Sequence, residues 1–397
     1  MKGYMVQRGN GFRLMVYLGR DPVTGKKQYK TETVRGTKRE AQRRLAHMVT
    51  EVDKGITIKP KRITVREYLL QWLEDYAKVN VRPRTYERYE EICRLHLIPA
   101  LGAILLTALQ PSHIQSCYAK AQREGRYDGK GGLSKRTIYH HHRILYEALK
   151  HAVKQGFVAR NVAEAVTPPR PDHVEMKTLS SEGLNELLQL SQETPYYALF
   201  YTAAYTGCRR SELLALRWDR VDLDFGFLEV VESLHQLHNG EIIFGPPKSQ
   251  KSRRRIALSP SLAIVLREHK SAQNIIRKQC GLPPLAPNDL VFSKPEGSPV
   301  SPDTITSTFR RIAQKAGFNG NFHSLRHTHA TLMLEEDIHP KVVSERLGHA
   351  TVATTLDIYS HKVPGLDEAA ALRFDKALEQ HRNIKPSEEE IPKFDSK

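Results

Sequence analysis

The sequence predicts a multidomain, mainly α protein. A small three-strand-plus-helix module comes first, then a helical bundle, then a mixed, mostly α block with a small antiparallel sheet. Three observations support this. Short β-rich runs are confined to the first 36 residues and to the stretch 225–259. Elsewhere apolar residues recur at helical spacing behind capping residues. The chain has 397 residues, enough for two or three domains with real cores.

The first block is residues 1–57. In YMVQRGNGFRLMVYLGRDPVTGKKQYKTETVRG, β-rich runs are broken at Gly9-Asn10-Gly11 and from Asp21-Pro22 to Gly25. That pattern predicts three short antiparallel strands. Thr37 and Glu40 then form a capping box. Ala41, Leu45, Met48, Val49 and Val52 mark a helix that Gly55 should close. The block is strongly basic, and Lys26 and Lys27 are its candidate nucleic-acid contacts.

The second block is residues 62–167. Thr64 and Glu67 form another capping box, followed by the stripe Val65, Tyr68, Leu69, Trp72, Leu73, Tyr76. Further helices are predicted after Pro83, over about 111–124, and from Ser134 to Gly156. His140-His141-His142 suggests a metal site at first sight, but neighbouring residues on a helix point in different directions. Arg136, Thr137, Tyr139, His140 and Arg143 instead suit a phosphate backbone. TPPRPD at 167–172 cannot continue a helix and reads as a linker. The third block, residues 173–380, contains three predicted strands, FGFLEVVESL, GEIIFG and RRRIALS, with a turn at Asn239-Gly240. Residues 381–397 form a polar tail.

Charge narrows the function. There are 61 Lys and Arg against 44 Asp and Glu, a net charge of +17. More than half of that surplus lies in residues 1–60. Such a balance implies a polyanionic partner, most simply nucleic acid. A membrane partner would need a basic amphipathic helix with exposed aromatics, and none is visible. No apolar run reaches the roughly 20 residues of a membrane span. The opening MKGYMVQRGNGFR has no apolar signal region. Cys93, Cys117, Cys208 and Cys280 are scattered, without the spacing of a zinc site or disulfide frame. These features predict a reduced, cytoplasmic protein.

The chemistry lies in residues that are individually ordinary. Arg209 in TGCRRSELLALRW would pass for a surface arginine. Lys248 in KSQKSRRRIAL sits in a basic turn. His349 in ERLGHA could be a helix cap, and Tyr359 in TTLDIY is one of 16 tyrosines. His323 and Arg326 in HSLRHTHAT share a helical face, and His323 and His327 could chelate a metal, but the glutamate of H-E-x-x-H is missing.

Together, Arg209, Lys248, His323, Arg326, His349 and Tyr359 resemble the catalytic signature of the tyrosine recombinases, in particular phage and mobile-element integrases. TGCRRSELLALRW is similar to the family's first arginine box and KSQKSRRRIAL to its lysine hairpin. HSLRHTHAT and LGHATVATTLDIY are similar to its second box. The resemblance implies an N-terminal arm-type DNA-binding domain, a core-DNA-binding helical domain and a catalytic domain. It also implies double-stranded DNA as partner at core and arm sites, a tetramer on DNA, and possible DNA-bending and directionality factors.

Physical chemistry explains the residue set. Attack on a phosphodiester builds negative charge in a pentacoordinate transition state. Two arginines can hold its non-bridging oxygens with paired hydrogen bonds, and His349 can add a donor. With so much fixed positive charge, no metal or other cofactor is expected, and no carboxylate cluster or G-x-x-x-x-G-K-[ST] loop is seen. Tyr359 is the expected nucleophile, His323 its base and Lys248 the acid for the leaving 5′-oxygen. Lys248 suits the family pattern K-[ST]-x-x-S-x-R better than Lys251. Glu212 reads equally well as support for the site or as a surface carboxylate. The segment after Tyr359, with Leu366, Ala369, Ala370, Leu372, Phe374 and Leu378, reads as a helix with an exposed apolar side; the resemblance implies that it docks on a neighbouring protomer. Two other functions use parts of the same set: a type IB topoisomerase, and a DNA-binding regulator without catalysis.

Overall fold

The computed structural model describes residues 3–20, 25–53, 62–172, 176–247, 252–349, 351–359, 371–372, 374–376 and 378. The chain divides into two compact units, Met1–His173 and Val174–Lys397.

The first unit opens with β1 (Gly3–Arg8), β2 (Gly11–Arg20) and β3 (Lys27–Arg35), paired antiparallel in the order β1-β2-β3. β2 is central, and its Leu14 and Val16 are fully buried against Ala41, Met48 and Val52 of helix α1 (Lys38–Asp53). The predicted capping box is formed: Glu40 N donates to Thr37 Oγ1 at 3.3 Å, and Thr37 N to Glu40 Oε2 at 2.7 Å. Arg44 ties the helix to β3 through Glu32 at 2.8 Å. Gly55, the predicted helix stop, lies outside the described residues.

The bundle follows. α2 (Val65–Trp72) runs through a π-turn, Leu73–Ala77, into α3 (Lys78–Asn80). α4 (Pro83–Ile92) likewise passes a π-turn, Cys93–Leu97, into α5 (Ile98–Leu101). Each π-turn widens one turn of helix and so shifts which positions face inward. Leu73 with Ala77, and Cys93 with Leu97, all reach the core this way. α6 (Pro111–Glu124) and α7 (Lys135–Lys154) complete the bundle. Ser134 caps α7 by accepting from Thr137 N at 3.2 Å. Trp72 stacks between Tyr76 and Tyr89, at 6.0 and 5.7 Å between ring centres. Residues 167–172 form neither helix nor strand.

The second unit begins with α8 (Ser181–Ser191), α9 (Tyr197–Thr206) and the one-turn α10 (Arg210–Leu213). The strands that follow differ from expectation. FGFLEVVESL is not one strand but two, β5 (Phe227–Val230) and β6 (Ser233–Gln236). β5 joins β4 (Val221–Asp222) and β8 (Arg254–Ala257) in one sheet, while β6 pairs with β7 (Ile242–Gly245) in another. The cause is register. Leu228 and Val230 face inward at alternate positions, but Ser233 and Leu234 are buried as neighbours. A single strand cannot keep one face inward across that change. Gly240, with φ +86°, supplies the turn between β6 and β7.

The unit continues with α11 (Pro260–Gln279), α12 (Pro302–Lys315), α13 (His323–Glu335), α14 (Pro340–Leu347) and α15 (Val352–Tyr359). Its core centres on Phe200, Phe309 and Phe322, whose rings lie 5.7–6.1 Å apart. Among the described residues, no helix is long and apolar enough to cross a membrane.

Candidate active site

Three stretches of the second unit supply the site. The first is the turn after α9. Gly207 ends that helix in the left-handed region, φ +63°, which a glycine adopts without strain. Arg209 follows as the N-cap of α10 in extended conformation. Glu212, one turn on, accepts from Arg209 N at 2.9 Å and from its Nη1 at 2.6 Å. Its side chain is 2% exposed, so it is no surface carboxylate.

The second stretch is α13. Arg326 is 3% exposed. It donates from Nη1 to the Gly207 carbonyl at 2.8 Å and from Nη2 to the Leu347 carbonyl at 2.6 Å. His323 stands at the helix N-terminus, edge-on to His327 with ring centres 4.8 Å apart. The third stretch follows α14. Gly348, at φ +66°, closes the helix in left-handed geometry. His349 N then donates to the Ser344 carbonyl at 3.0 Å, and its Nδ1 lies 2.8 Å from Thr355 Oγ1 on α15. Tyr359 is the last residue of α15. Lys248 and Lys251 both lie outside the described residues.

Arg254 on β8 joins these stretches, and no role was read for it in the sequence. It donates to Glu212 at 3.0 Å and to the Arg346 carbonyl at 2.6 Å. Its position as the closing arginine of the KSQKSRR segment was the available signal. Glu212 is therefore shared by Arg209 and Arg254, while both described bonds of Arg326 go to carbonyls.

The electrostatics follow from this crowding. Burial, then the Arg209 charge, pulls the Arg326 guanidinium down to about 9. Burial would raise the Glu212 carboxyl, but Arg254 and Arg209 outweigh it and the net shift is downward. His323 falls to about 4 because protein displaces water around it and Arg326 and Arg209 repel a further positive charge. The residue is nonetheless exposed to solvent, so water screens part of that repulsion. His349 also falls to about 4, through burial and the same two arginines. At neutral pH both imidazoles are uncharged, able to pass a proton or donate one hydrogen bond.

The candidates in the first unit are dispersed. Lys26 and Lys27 are exposed at the start of β3. On α7, Arg136, Tyr139, His140 and Arg143 are exposed, whereas the Thr137 hydroxyl is engaged with Ser134 Oγ at 2.9 Å. Tyr139, His140 and Arg143 border a groove of about 810 Å³ with Arg88 and Tyr89. The three consecutive histidines diverge: His140 is exposed, His141 is buried against His96, and His142 meets the Tyr118 hydroxyl at 3.2 Å. No group of three His, Cys, Asp or Glu suited to a metal occurs among the described residues.

Comparison with known proteins decides the family. Residues 177–364 match the model of the phage integrase family, and residues 64–121 match the N-terminal SAM-like domain of phage integrases. The chain belongs to the phage integrase family of tyrosine recombinases. It is a site-specific DNA recombinase of the kind that integrates or excises mobile elements. A tyrosine recombinase XerC-like protein of Caldanaerobacter subterraneus is 27% identical over 89% of this chain and 93% of its own length. The ICEBs1 integrase of Bacillus subtilis is 24% identical over 92% of this chain and 97% of its own. Among solved structures, the Tn1549 transposon integrase in complex with transposon right end DNA aligns with a TM-score of 0.65. It is 20% identical and covers 79% of this chain and all of that one. A lambda integrase dimer bound to a core site aligns with a TM-score of 0.55, at 20% identity, over 89% of this chain and 94% of that one. These structural likenesses establish the shared fold of the recombinase.

Proposed function

We propose that this recombinase cuts and rejoins DNA through Tyr359. The Tyr359 oxygen attacks the phosphorus of one backbone linkage and forms a 3′-phosphotyrosyl ester. The bond from phosphorus to the 5′-oxygen breaks. His323 takes the phenol proton, and Lys248 gives a proton to the departing 5′-oxygen. Attack by a 5′-hydroxyl of another strand reverses these steps and reseals DNA, so the ester bond is retained throughout and no nucleotide energy source is used.

Arg209, Arg326 and His349 grip the non-bridging oxygens. The observation that carries this reading is the state of Arg326. A guanidinium has five N–H donors, and here it is buried beside a second guanidinium with two described bonds, both to neutral carbonyls. An isolated buried cation is costly, so such a group needs an anion. A phosphodiester is that anion. Glu212 bonds to Arg209 and Arg254 and acts on Arg326 only through space, which leaves its shift downward. Thr355, by donating to His349 Nδ1, leaves Nε2–H free to face the phosphate.

Residues 1–57 act as an arm-type DNA-binding domain, 62–167 as the core-DNA-binding domain, 173–380 as the catalytic domain and 381–397 as a polar tail. The lambda integrase solved as a tetramer on a Holliday junction supports assembly of four copies on two DNA sites. DNA-bending and directionality factors would then bias integration against excision at the bacterial nucleoid. Affinity rests on phosphates contacted by residues such as Lys26, Lys27, Arg136 and Arg143, and falls steeply with salt. The test is a nicked suicide DNA carrying the element's own junction. The wild-type chain should form a covalent adduct, and Tyr359→Phe should form none. An adduct that survives Tyr359→Phe overturns the nucleophile. Absence of any adduct with the wild type leaves a binding role, and relaxation of supercoils without a specific site favours a topoisomerase.

A further inference from the structure

Arg209, His323, Arg326 and His349 come from three separate stretches, and one pair outside that chemistry, the buried His329 and the half-buried Arg346, links all three. His329 lies on α13, one turn beyond Arg326, and is 9% exposed. Its Nδ1 is 2.9 Å from the Ala204 carbonyl, near the end of α9. Its Nε2 is 3.2 Å from Nε of Arg346, in the last turn of α14. Arg346 also donates from Nη2 to the Tyr205 carbonyl at 2.9 Å. A carbonyl only accepts and a guanidinium only donates. The ring is therefore neutral, with its proton on Nδ1 and its lone pair on Nε2.

The end of α14 is held from two sides. Its Arg346 and Leu347 carbonyls receive Arg254 and Arg326, each at 2.6 Å. Its Arg346 side chain is held by His329 and by the end of α9. His349 follows three residues after Arg346, beyond the left-handed Gly348. A phenylalanine would fill the same space without desolvating an imidazole and a guanidinium. The polar pair adds direction: each bond fixes an angle as well as a contact. Displacing a catalytic group by about 1 Å can cost roughly 10²-fold in rate, so direction matters here.

We propose that His329 is a positioning residue for strand cleavage, acting through Arg346 to set the end of α14 and hence the placement of His349 against the Arg209–Arg326 pair. The inference deepens the reading of His349 as a phosphate donor and rests on it.

The test measures single-turnover cleavage of the suicide DNA at saturating concentration, with the full chain, alongside DNA affinity. His329→Phe keeps a ring and loses both bonds. It should cleave about 10- to 100-fold more slowly with affinity unchanged within about twofold. Arg346→Met should match it, and the double variant should be no slower than either, since the two act as one unit. His329→Gln, whose side-chain oxygen can accept from Arg346, should recover part of the rate. In a His349→Ala background, His329→Phe should cause no further loss. That last arm separates positioning from general weakening of the fold, which would lower the residual rate again. Wild-type cleavage by His329→Phe, no recovery with Gln, or a full second loss on top of His349→Ala overturns the proposal. If His329→Phe does not fold, Arg346→Met carries the same comparison. Failure of the functional reading would look different: the wild-type adduct itself would be absent or would persist in Tyr359→Phe.

Discussion

The outer surface of the helical bundle and the candidate active site both concentrate arginine, and they treat its charge in opposite ways. On the bundle, Arg84, Arg88 and Arg94 each meet a glutamate of their own helix at 2.7–3.0 Å, in water. At the candidate site, Arg209 and Arg254 share Glu212, and the described bonds of Arg326 go to carbonyls. Solvated pairs of the first kind contribute little to stability and are easily replaced. Buried cations of the second kind are costly to hold, and removing a partner leaves an uncompensated charge out of water. Position in the fold, and not residue type, decides which arginine is screened by water and which is not.

The sharpest way to break this contrast is to remove the shared carboxylate. Glu212→Gln leaves Arg254 buried without a counter-charge, and should cost about 3–5 kcal/mol of folding stability. Glu91→Gln, which frees Arg88 on the bundle surface, should cost less than about 1 kcal/mol. Denaturant midpoints measure both, and equal effects would erase the distinction. Next in size is Arg326→Lys. It keeps a positive charge but loses the fork of donors, and should slow single-turnover cleavage by about 10²–10³, or 3 to 4 kcal/mol of barrier. A loss under about tenfold would mean that charge alone suffices.

A smaller effect separates buried from exposed imidazoles. Burial drives His141 and His329 down to about 3, helped by His96 in the first case and Arg346 in the second. Unfolded histidine titrates near 6.5. Between those values the unfolded chain binds more protons, so stability is full above about pH 6.5 and falls as pH drops below it. Each group adds a slope of up to about 1.4 kcal/mol per pH unit. Urea unfolding at pH 7, 6 and 5 measures the slope, and His141→Asn should reduce it. A flat profile over that range would contradict the burial of both rings.

Much of the fold was readable before any coordinates. Strands in the first module were announced by Gly9-Asn10-Gly11, and α1 and α2 by their Thr and Glu capping boxes. These are local signals, written in a few adjacent residues. The split of FGFLEVVESL was not readable, because it depends on which sheet covers Ser233 and Leu234. The π-turns at Leu73–Ala77 and Cys93–Leu97 leave no local mark either. At the site, the resemblance to the tyrosine recombinases pointed to Arg209, His323, Arg326 and His349. Arg254, Arg346 and His329 were missed, and Glu212 stayed undecided, for one reason: their meaning lies in burial and in carbonyl partners far along the chain. A sequence lists charges but does not say which of them have been taken out of water.

Gly207 carries one last implication. A methyl group there would demand left-handed geometry from an alanine, run into Leu347, and press on His329 from 2.9 Å. The smallest possible change would thus wedge apart the junction where Arg326, His329 and Leu347 meet, while leaving the basic modules upstream intact. A Gly207→Ala chain should still occupy its sites on DNA and exchange nothing, as gel shift and recombination assays run side by side would reveal. Within a mixed assembly such a copy would act as a silent blocker of its active neighbours.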